Sequence, residues 1–135
     1  MILQDLLYTI AITSIKGNTN VEIANLQIDS RLISKDACFI AVKGNTVDGH
    51  QFIDTAIKNG AAVIICEILP PQLNDSITYV QVSNSAVAAG VMSHKFFGQP
   101  SKKIKLVGVT GTNGKTTIVT LLHKLFTSLG QKCGL

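Results

Sequence analysis

The segment VTGTNGKTT, residues 109–117, carries the residue types of a phosphate-binding loop. Between a strand and a helix, such a turn leaves several backbone N–H groups facing one point at the positive end of the helix dipole. Gly111 and Gly114 would let an anion approach the backbone closely. Lys115 would bring a mobile positive charge to the outer phosphates, and the Thr116 hydroxyl suits a Mg²⁺ ligand. The segment therefore predicts a site for nucleotide phosphates.

The segment departs from the usual pattern G-x-x-x-x-G-K-[ST] at its first position. Val109 stands where that pattern has glycine, and the nearest upstream glycine is Gly108. A bare G-K-T triplet would fit an ordinary glycine turn with an exposed lysine equally well. The surrounding strand and helix patterns favour the phosphate loop.

Two elements must position this loop. The run IKLVGV, residues 104–109, predicts a buried strand, and the sequence after the loop predicts a helix over residues 115–129 that ends at Gly130. The apolar stripe of that helix consists of Ile118, Leu121, Leu122, Leu125 and Phe126. Strand, loop and helix make half of a βαβ unit, so we expect residues 104–135 to be an incomplete start of a P-loop ATPase domain.

The preceding residues predict a small α/β domain over residues 1–97, joined by a linker at residues 98–103. Asp48, with Gln51 three residues later, is a candidate capping pair for its second helix. The expected elements, in chain order, are a helix from Leu3 to Ile10, a strand across residues 21–28, a strand at 38–44, a helix ending at Gly60, strands at 61–66 and 77–82, and a helix at 85–97.

A second candidate site is the sequence Asp29-Ser30-Arg31 at the end of a predicted strand. Strand ends of α/β sheets bind ligands, and an arginine could pair with a diphosphate. Ordinary turn chemistry would use the same residue types. His50 is interpreted as a structural residue of a first helical turn, because the sequence identifies no carboxylate together with a cysteine or serine at the spacing of a nucleophilic site.

Composition excludes several classes of protein. The three cysteines are scattered, which predicts reduced, buried or half-buried thiols and no zinc site. Lys102, Lys103 and Lys105 are interpreted as a solvated strand approach, and aromatic residues make up only 5% of the chain, so no nucleic-acid partner is predicted. No apolar run reaches membrane-span length and no basic leader is present. These features predict a cytoplasmic protein without a membrane partner.

Several segments together resemble the Mur ligase superfamily, the ATP-dependent amino-acid ligases of peptidoglycan synthesis. The seven residues TGTNGKT resemble its shortened nucleotide loop, which needs no glycine at position 109. The segments DSR and FIAVKGNTVDGHQFIDTAIKNGAAVII, residues 39–65, resemble its N-terminal substrate domain. Residues 100–117 are most similar to the subgroup that adds the third peptide residue. One departure is SKDA, residues 34–37, where the family commonly has a Pro-Gly-Asp-like turn; Asp36 tolerates turn conformations.

The resemblance implies particular site residues. Ile28 and Ser30 would contact the uridine diphosphate part of a UDP-N-acetylmuramoyl peptide, together with Asn45, Thr46 and Val47 from the loop after the second strand. The nucleotide cradle would consist of Gly111, Thr112, Asn113, Gly114, Lys115, Thr116 and Thr117. Lys115 and Thr116 would be its catalytic members, and Thr116 would also hold Mg²⁺.

The implied reaction activates a substrate carboxylate with ATP as an acyl phosphate, which the amine of a free amino acid then attacks. The amino acid would be meso-diaminopimelate or lysine, with diaminopimelate the commoner in the family, and the acceptor would be UDP-N-acetylmuramoyl-L-alanyl-D-glutamate. Family members are several times longer, so we expect this chain to be an N-terminal fragment, inactive alone, of a monomeric enzyme. Two alternatives stay open: the related ligase that adds D-alanyl-D-alanine, and a stand-alone UDP-sugar-binding module.

Overall fold

The computed structural model describes residues 1–44 and 46–135 and divides them into two compact units, Met1–Pro100 and Ser101–Leu135. The helices are α1 (Leu3–Leu7), α2 (Ile53–Lys58), α3 (Ser85–Phe96) and α4 (Lys115–Ser128). The strands are β1 (Ile12–Lys16), β2 (Leu26–Gln27), β3 (Ala37–Ile40), β4 (Ala61–Cys66) and β5 (Thr78–Val82). Single 3-10 turns cover Ser30–Leu32, Gly49–Phe52 and Pro100–Lys102.

The first unit contains a single sheet with the strand order β1-β5-β4-β3-β2, as far as the described residues go. Strands β2 to β5 are parallel, and β1 joins β5 in the antiparallel direction at one edge. The central strands β3, β4 and β5 are largely buried on both faces, as expected for parallel strands covered by helices. The α/β class predicted from the sequence is confirmed.

Each face of the sheet carries its own apolar core. On one face, Cys38 and Ile40 of β3 pack with residues of α1 and α3 such as Leu6 and Met92. On the other face, Phe39 packs with residues of α2 and β4. Successive residues of β3 therefore enter opposite cores, which follows from the alternation of side chains along a strand.

Two turns hold the sheet in register at the amino ends of its strands. Asp36 adopts a left-handed backbone with φ 61°, and its N–H donates to Gly60 O over 3.1 Å. Gly60 has φ 107° directly before β4, a conformation that favours glycine. The expectations that Asp36 would support a turn and that Gly60 would end a helix are confirmed.

Some predicted elements are wrong or differ in extent. The sequence analysis missed β1, and of the strand expected across residues 21–28 only Leu26–Gln27 forms. Residues 21–23 bond instead to the chain start, where Leu3 N–H donates to Val21 O and Ile23 N–H to Met1 O. Asp48 caps the 3-10 turn before α2, which confirms it as a capping residue, but its carboxylate accepts from His50 N–H and not from Gln51, so the pair with Gln51 is wrong.

The second unit contains the glycine turn and α4. Helix α4 and its end at Gly130, which has φ 78°, agree with the sequence prediction. Among the described residues, 104–109 form no strand, so that prediction is wrong for this structure; a strand requires a hydrogen-bonded neighbour, and none pairs with this segment. The apolar side chains Leu106 and Val107 are exposed, as are Leu121 and Leu125 of α4.

Candidate functional site

The carboxyl ends of the four parallel strands meet at one edge of the sheet. Open α/β sheets bind ligands at this edge, because the loops that leave it are free to vary. The loop after β2 carries Ile28 and Ser30, and the loop after β3 carries Thr46 and Val47. Since β2 and β3 are parallel neighbours, the structure brings both groups of predicted substrate residues to the same edge. Asn45, the fifth predicted residue, lies outside the described residues.

The loop after β2 combines an exposed apolar residue with a fixed arginine. Ile28 is 64% exposed, whereas Ser30 is buried and its carbonyl accepts from Asn59 Nδ2 over 2.9 Å. The Asp29 carboxylate accepts from Arg31 Nε at 2.9 Å and from Nη2 at 2.7 Å. The side-chain hydrogen bonds from Arg31 lower the pKa of the Asp29 carboxyl to about 2. Asp29 therefore holds the guanidinium that was considered for a diphosphate.

The loop after β3 turns tightly between Val42 and Gly49. Gly44 N–H donates to Val47 O over 3.0 Å, and Lys43 forms an antiparallel bridge with Asp48. Gly49 N–H donates to Val42 O, and a Cβ at position 49 would lie 2.7 Å from that oxygen, so only glycine fits without a backbone shift. The exposed side chains of Thr46 and Val47 lie between these stems.

A hydrogen-bonded polar cluster at the same edge was missed by the sequence analysis. The Asp48 carboxylate lies 2.6 Å from His50 Nδ1, a contact that was not predicted, and among the described residues no cysteine or serine side chain hydrogen-bonds to the ring. Glu67 N–H, directly after β4, donates to His50 Nε2 over 2.9 Å. A nitrogen that accepts from an N–H carries no proton itself, so the ring proton is on Nδ1 and donates to Asp48. The Asp-x-His spacing was the only available sequence signal.

Glu67 also caps α3 through Ser85. One carboxylate oxygen, Oε1, accepts from Ser85 N–H at 2.9 Å and from Ser85 Oγ at 2.8 Å. These two bonds lower the pKa of Glu67, and the bond from the Ser85 backbone N–H has the larger effect. Ser85 is fully buried, and its Oγ accepts in turn from Lys43 N–H over 3.3 Å.

The second unit holds the predicted phosphate loop. Gly111 has φ 150° and Gly114 φ 78°, so both adopt the backbone region that favours glycine. The first backbone bond of α4 runs from Ile118 N–H to Gly114 O over 2.9 Å. The N–H groups of residues 115–117 precede that bond and have no acceptor within the helix. This local geometry fits an anion at the helix start.

The side chains at the helix start also suit phosphate chemistry. Lys115 Nζ donates to Gly111 O over 2.6 Å and to Thr112 O over 3.2 Å, which folds the ammonium over the loop. Thr116 is exposed at the first turn, and its hydroxyl is a hard oxygen ligand of the kind that Mg²⁺ prefers. The residues present fit a nucleotide phosphate with its metal ion.

Other predicted features have mixed outcomes. Cys38 and Cys66 are free and buried, as predicted, whereas Cys133 is exposed, which contradicts the prediction for that residue. Burial raises the pKa of Cys66 to about 11, so this thiol stays protonated. Across residues 1–44 and 46–135, no helix is long and apolar enough to cross a membrane. The same residues contain no cluster of three or more histidine, cysteine or acidic side chains suited to a metal.

Comparison with known proteins gives consistent matches. The model of the Mur ligase family, catalytic domain, matches residues 22–95. The UDP-N-acetylmuramoyl-L-alanyl-D-glutamate--2,6-diaminopimelate ligase of Cytophaga hutchinsonii is 47% identical over 136 residues, which covers 100% of this chain and 28% of that protein. The chain thus spans between a quarter and a third of the length of this relative.

Solved structures agree with the sequence match. A UDP-N-acetylmuramoyl-L-alanyl-D-glutamate--2,6-diaminopimelate ligase is similar with a TM-score of 0.71 at 25% identity, over 98% of this chain and 26% of that chain. The MurF ligase of Thermotoga maritima, solved in complex with ADP, is similar with a TM-score of 0.53 at 30% identity, over 77% of this chain and 23% of that chain.

Proposed function

Since the chain belongs to the Mur ligase family, we propose that it supplies the UDP-substrate domain and the phosphate loop of an ATP-dependent ligase. The ligase adds meso-diaminopimelate to UDP-N-acetylmuramoyl-L-alanyl-D-glutamate in peptidoglycan synthesis in the cytoplasm. The observation that carries this proposal is the 47% identity, across the whole chain, to a ligase of that name. Residues 1–97 form the substrate domain, residues 98–103 the linker and residues 104–135 the start of the ATP-binding domain.

In the proposed substrate domain, the uridine diphosphate lies at the carboxyl edge of the parallel sheet. Ile28 offers an exposed apolar surface after β2, and Val47 offers another after β3. Ser30 and Thr46, next to these residues, supply hydroxyl groups for polar contacts. Asn45 completes the set by resemblance alone. The support from the structure is that the loops after β2 and β3 leave neighbouring parallel strands at the same edge.

In the proposed nucleotide site, residues 111–117 cradle the phosphates of ATP. The ADP bound in the Thermotoga maritima ligase supports a nucleotide in this family. Transfer of the γ-phosphoryl group to the substrate carboxylate concentrates negative charge on phosphoryl oxygens. The N–H groups at the start of α4 and the ammonium of Lys115 would stabilise that charge, and the Thr116 hydroxyl would hold Mg²⁺, which would supply further positive charge to the phosphates. Lys115 and Thr116 are the catalytic residues of the proposal.

Neither alternative has comparable support. Addition of D-alanyl-D-alanine would require a different acceptor, and a D-alanyl-D-alanyl ligase of Acinetobacter baumannii is 28% identical, against 47% for the diaminopimelate ligase of Cytophaga hutchinsonii. A stand-alone UDP-sugar-binding module would need no nucleotide loop, yet the loop has the backbone angles of a phosphate cradle. The curated match names diaminopimelate, which supports this amino acid over lysine.

Separate calorimetric titrations of the 135-residue chain with UDP and with Mg·ATP test the proposal. We expect binding of both ligands, with Lys115→Ala weakening Mg·ATP alone, since the lysine contacts only the outer phosphates. Binding of UDP without any binding of Mg·ATP would favour the stand-alone module. Absence of UDP binding would contradict the assignment of the substrate domain.

A further inference from the structure

The loop that follows β3 is fixed at both of its stems to one residue, Glu67. One route runs from Glu67 N–H to His50 Nε2 (2.9 Å) and from His50 Nδ1–H to the Asp48 carboxylate (2.6 Å). The other route runs from Glu67 Oε1 to Ser85 Oγ (2.8 Å) and from Ser85 Oγ to Lys43 N–H (3.3 Å). The antiparallel bridge at Lys43 and Asp48 joins the two routes through the bonds of their neighbours, from Gly49 N–H to Val42 O and from Gly44 N–H to Val47 O. The result is a closed network of hydrogen bonds and short backbone links, called the anchor ring.

The anchor ring connects three elements to the loop. Glu67 follows β4, its carbonyl accepts from Gln81 Nε2 of β5 over 3.0 Å, and Ser85 begins α3. His50 lies in the 3-10 turn that precedes α2. Because these partners belong to the sheet edge and to α3, the ring fixes the loop stems at Lys43 and Asp48. A hydrogen-bonded network in which every member is paired favours a single arrangement over many.

We propose that His50 is a positioning residue, which holds Thr46 and Val47 in the conformation that binds the uridine diphosphate. The inference rests on the proposed function, because Thr46 and Val47 are substrate residues only if that function holds. His50 suits the role because its side chain is 14% exposed and uses both ring nitrogens, one as donor and one as acceptor. Its ring therefore links the sheet to the loop stem and need not touch the substrate.

Two substitutions of His50 separate the contributions of the ring nitrogens. His50→Gln keeps an acceptor near the place of Nε2, and His50→Asn keeps a polar group near the place of Nδ1. His50→Ala removes both bonds. The matched stability control is Asn84→Ala, which removes the Asn84 Oδ1 bond from Val87 N–H at the neighbouring start of α3 but leaves the anchor ring intact. Loss of such a cap destabilises a protein by an amount similar to one lost hydrogen bond.

The experiment measures UDP affinity by calorimetry and thermal stability for all four variants and the unsubstituted chain. We expect His50→Ala to bind UDP about tenfold more weakly, because apparent affinity falls in proportion to the fraction of molecules whose loop has the binding conformation. We expect Asn84→Ala to lose stability and keep its affinity, and His50→Gln to recover part of the lost affinity. Equal losses of affinity in His50→Ala and Asn84→Ala would show a merely structural role and overturn the inference.

Hydrogen exchange without ligand distinguishes failure of the inference from failure of the proposed function. The N–H groups of Gly44 and Gly49 bond within the loop and its stem, so His50→Ala is expected to speed their exchange while the amides of α3 keep theirs. Unchanged exchange at Gly44 and Gly49 overturns the inference, whatever the affinity. Absence of UDP binding by the unsubstituted chain overturns the proposed function instead.

Discussion

Removal of the Glu67 carboxylate is expected to destabilise the first unit strongly, although the residue lies at the surface edge of the sheet. Glu67→Ala deprives Ser85 N–H and Ser85 Oγ of their acceptor, and Ser85 is fully buried. An unsatisfied buried donor costs about 1–3 kcal/mol, and the hydroxyl can rotate in part to another acceptor. We therefore expect the free energy of unfolding to fall by about 2–4 kcal/mol.

Glu67→Gln is expected to cost less, about 1–2 kcal/mol, because the amide keeps an acceptor oxygen and loses only the charge. The matched control is Glu22→Ala, since the Glu22 side chain is 84% exposed and its ion pair to the amino terminus is 3.9 Å long. We expect that control to stay within about 0.5 kcal/mol of the unsubstituted chain. Urea unfolding followed by circular dichroism measures all three. A loss below about 1 kcal/mol for Glu67→Ala would refute the reasoning, since one orphaned donor alone should cost that much.

The difference in stability between the unsubstituted chain and Glu67→Gln is also expected to depend on pH. The pKa of Glu67 is lowered in the folded chain, so the unfolded chain binds the proton first as the pH falls. The stability that Glu67 contributes is therefore complete above its ordinary value of 4.5 and is lost as the pH falls through the lower, folded value. The difference in stability between the unsubstituted chain and Glu67→Gln should shrink over that range. A difference that grows on acidification would contradict the assigned bonds.

Three further predictions follow from single contacts. In a carbon-13 NMR titration, the Asp29 carboxylate should titrate near pH 2, and Arg31→Ala should move the midpoint upward towards 3.8; an unchanged midpoint would exclude the ion pair as the cause. Gly49→Ala should lower the unfolding free energy by about 1–3 kcal/mol, because the new Cβ meets Val42 O, and a neutral result in urea unfolding would contradict the close approach. Gly114→Ala should weaken Mg·ATP binding in calorimetry, because φ 78° disfavours alanine. Open space surrounds the new Cβ, so the loss would come from the backbone angle and not from a steric clash; unaltered affinity would show that the turn does not form the cradle.

The sequence predicted the central strands well and the edges poorly. The run AAVIIC becomes β4 because a parallel strand buried on both faces is apolar throughout. The segment ITSIK becomes β1, yet it pairs on one side only and is largely exposed, so its pattern gave no clear signal. Residues 104–109 have a strand pattern, but a pattern alone cannot supply a neighbour to pair with.

The same distinction applies to the candidate site. Gly111 and Gly114 were predictable because glycine spacing reports backbone angles directly. The partners of His50 were not, since one of them is the backbone N–H of Glu67, seventeen residues later in the chain. Every residue except proline carries such a donor, so its use can be read only from the fold. Ser85 joins the cluster for the same reason, through the Lys43 N–H.

The central claim is that the carboxyl edge of the parallel sheet binds the uridine diphosphate of a muramoyl peptide. The most direct test is an NMR titration of the nitrogen-15-labelled chain with UDP-N-acetylmuramoyl-L-alanyl-D-glutamate. We expect the largest amide shifts at Ile28, Ser30, Thr46 and Val47, and we expect UDP alone to reproduce them. Absence of saturable shifts, or shifts confined to residues away from this edge, would contradict it.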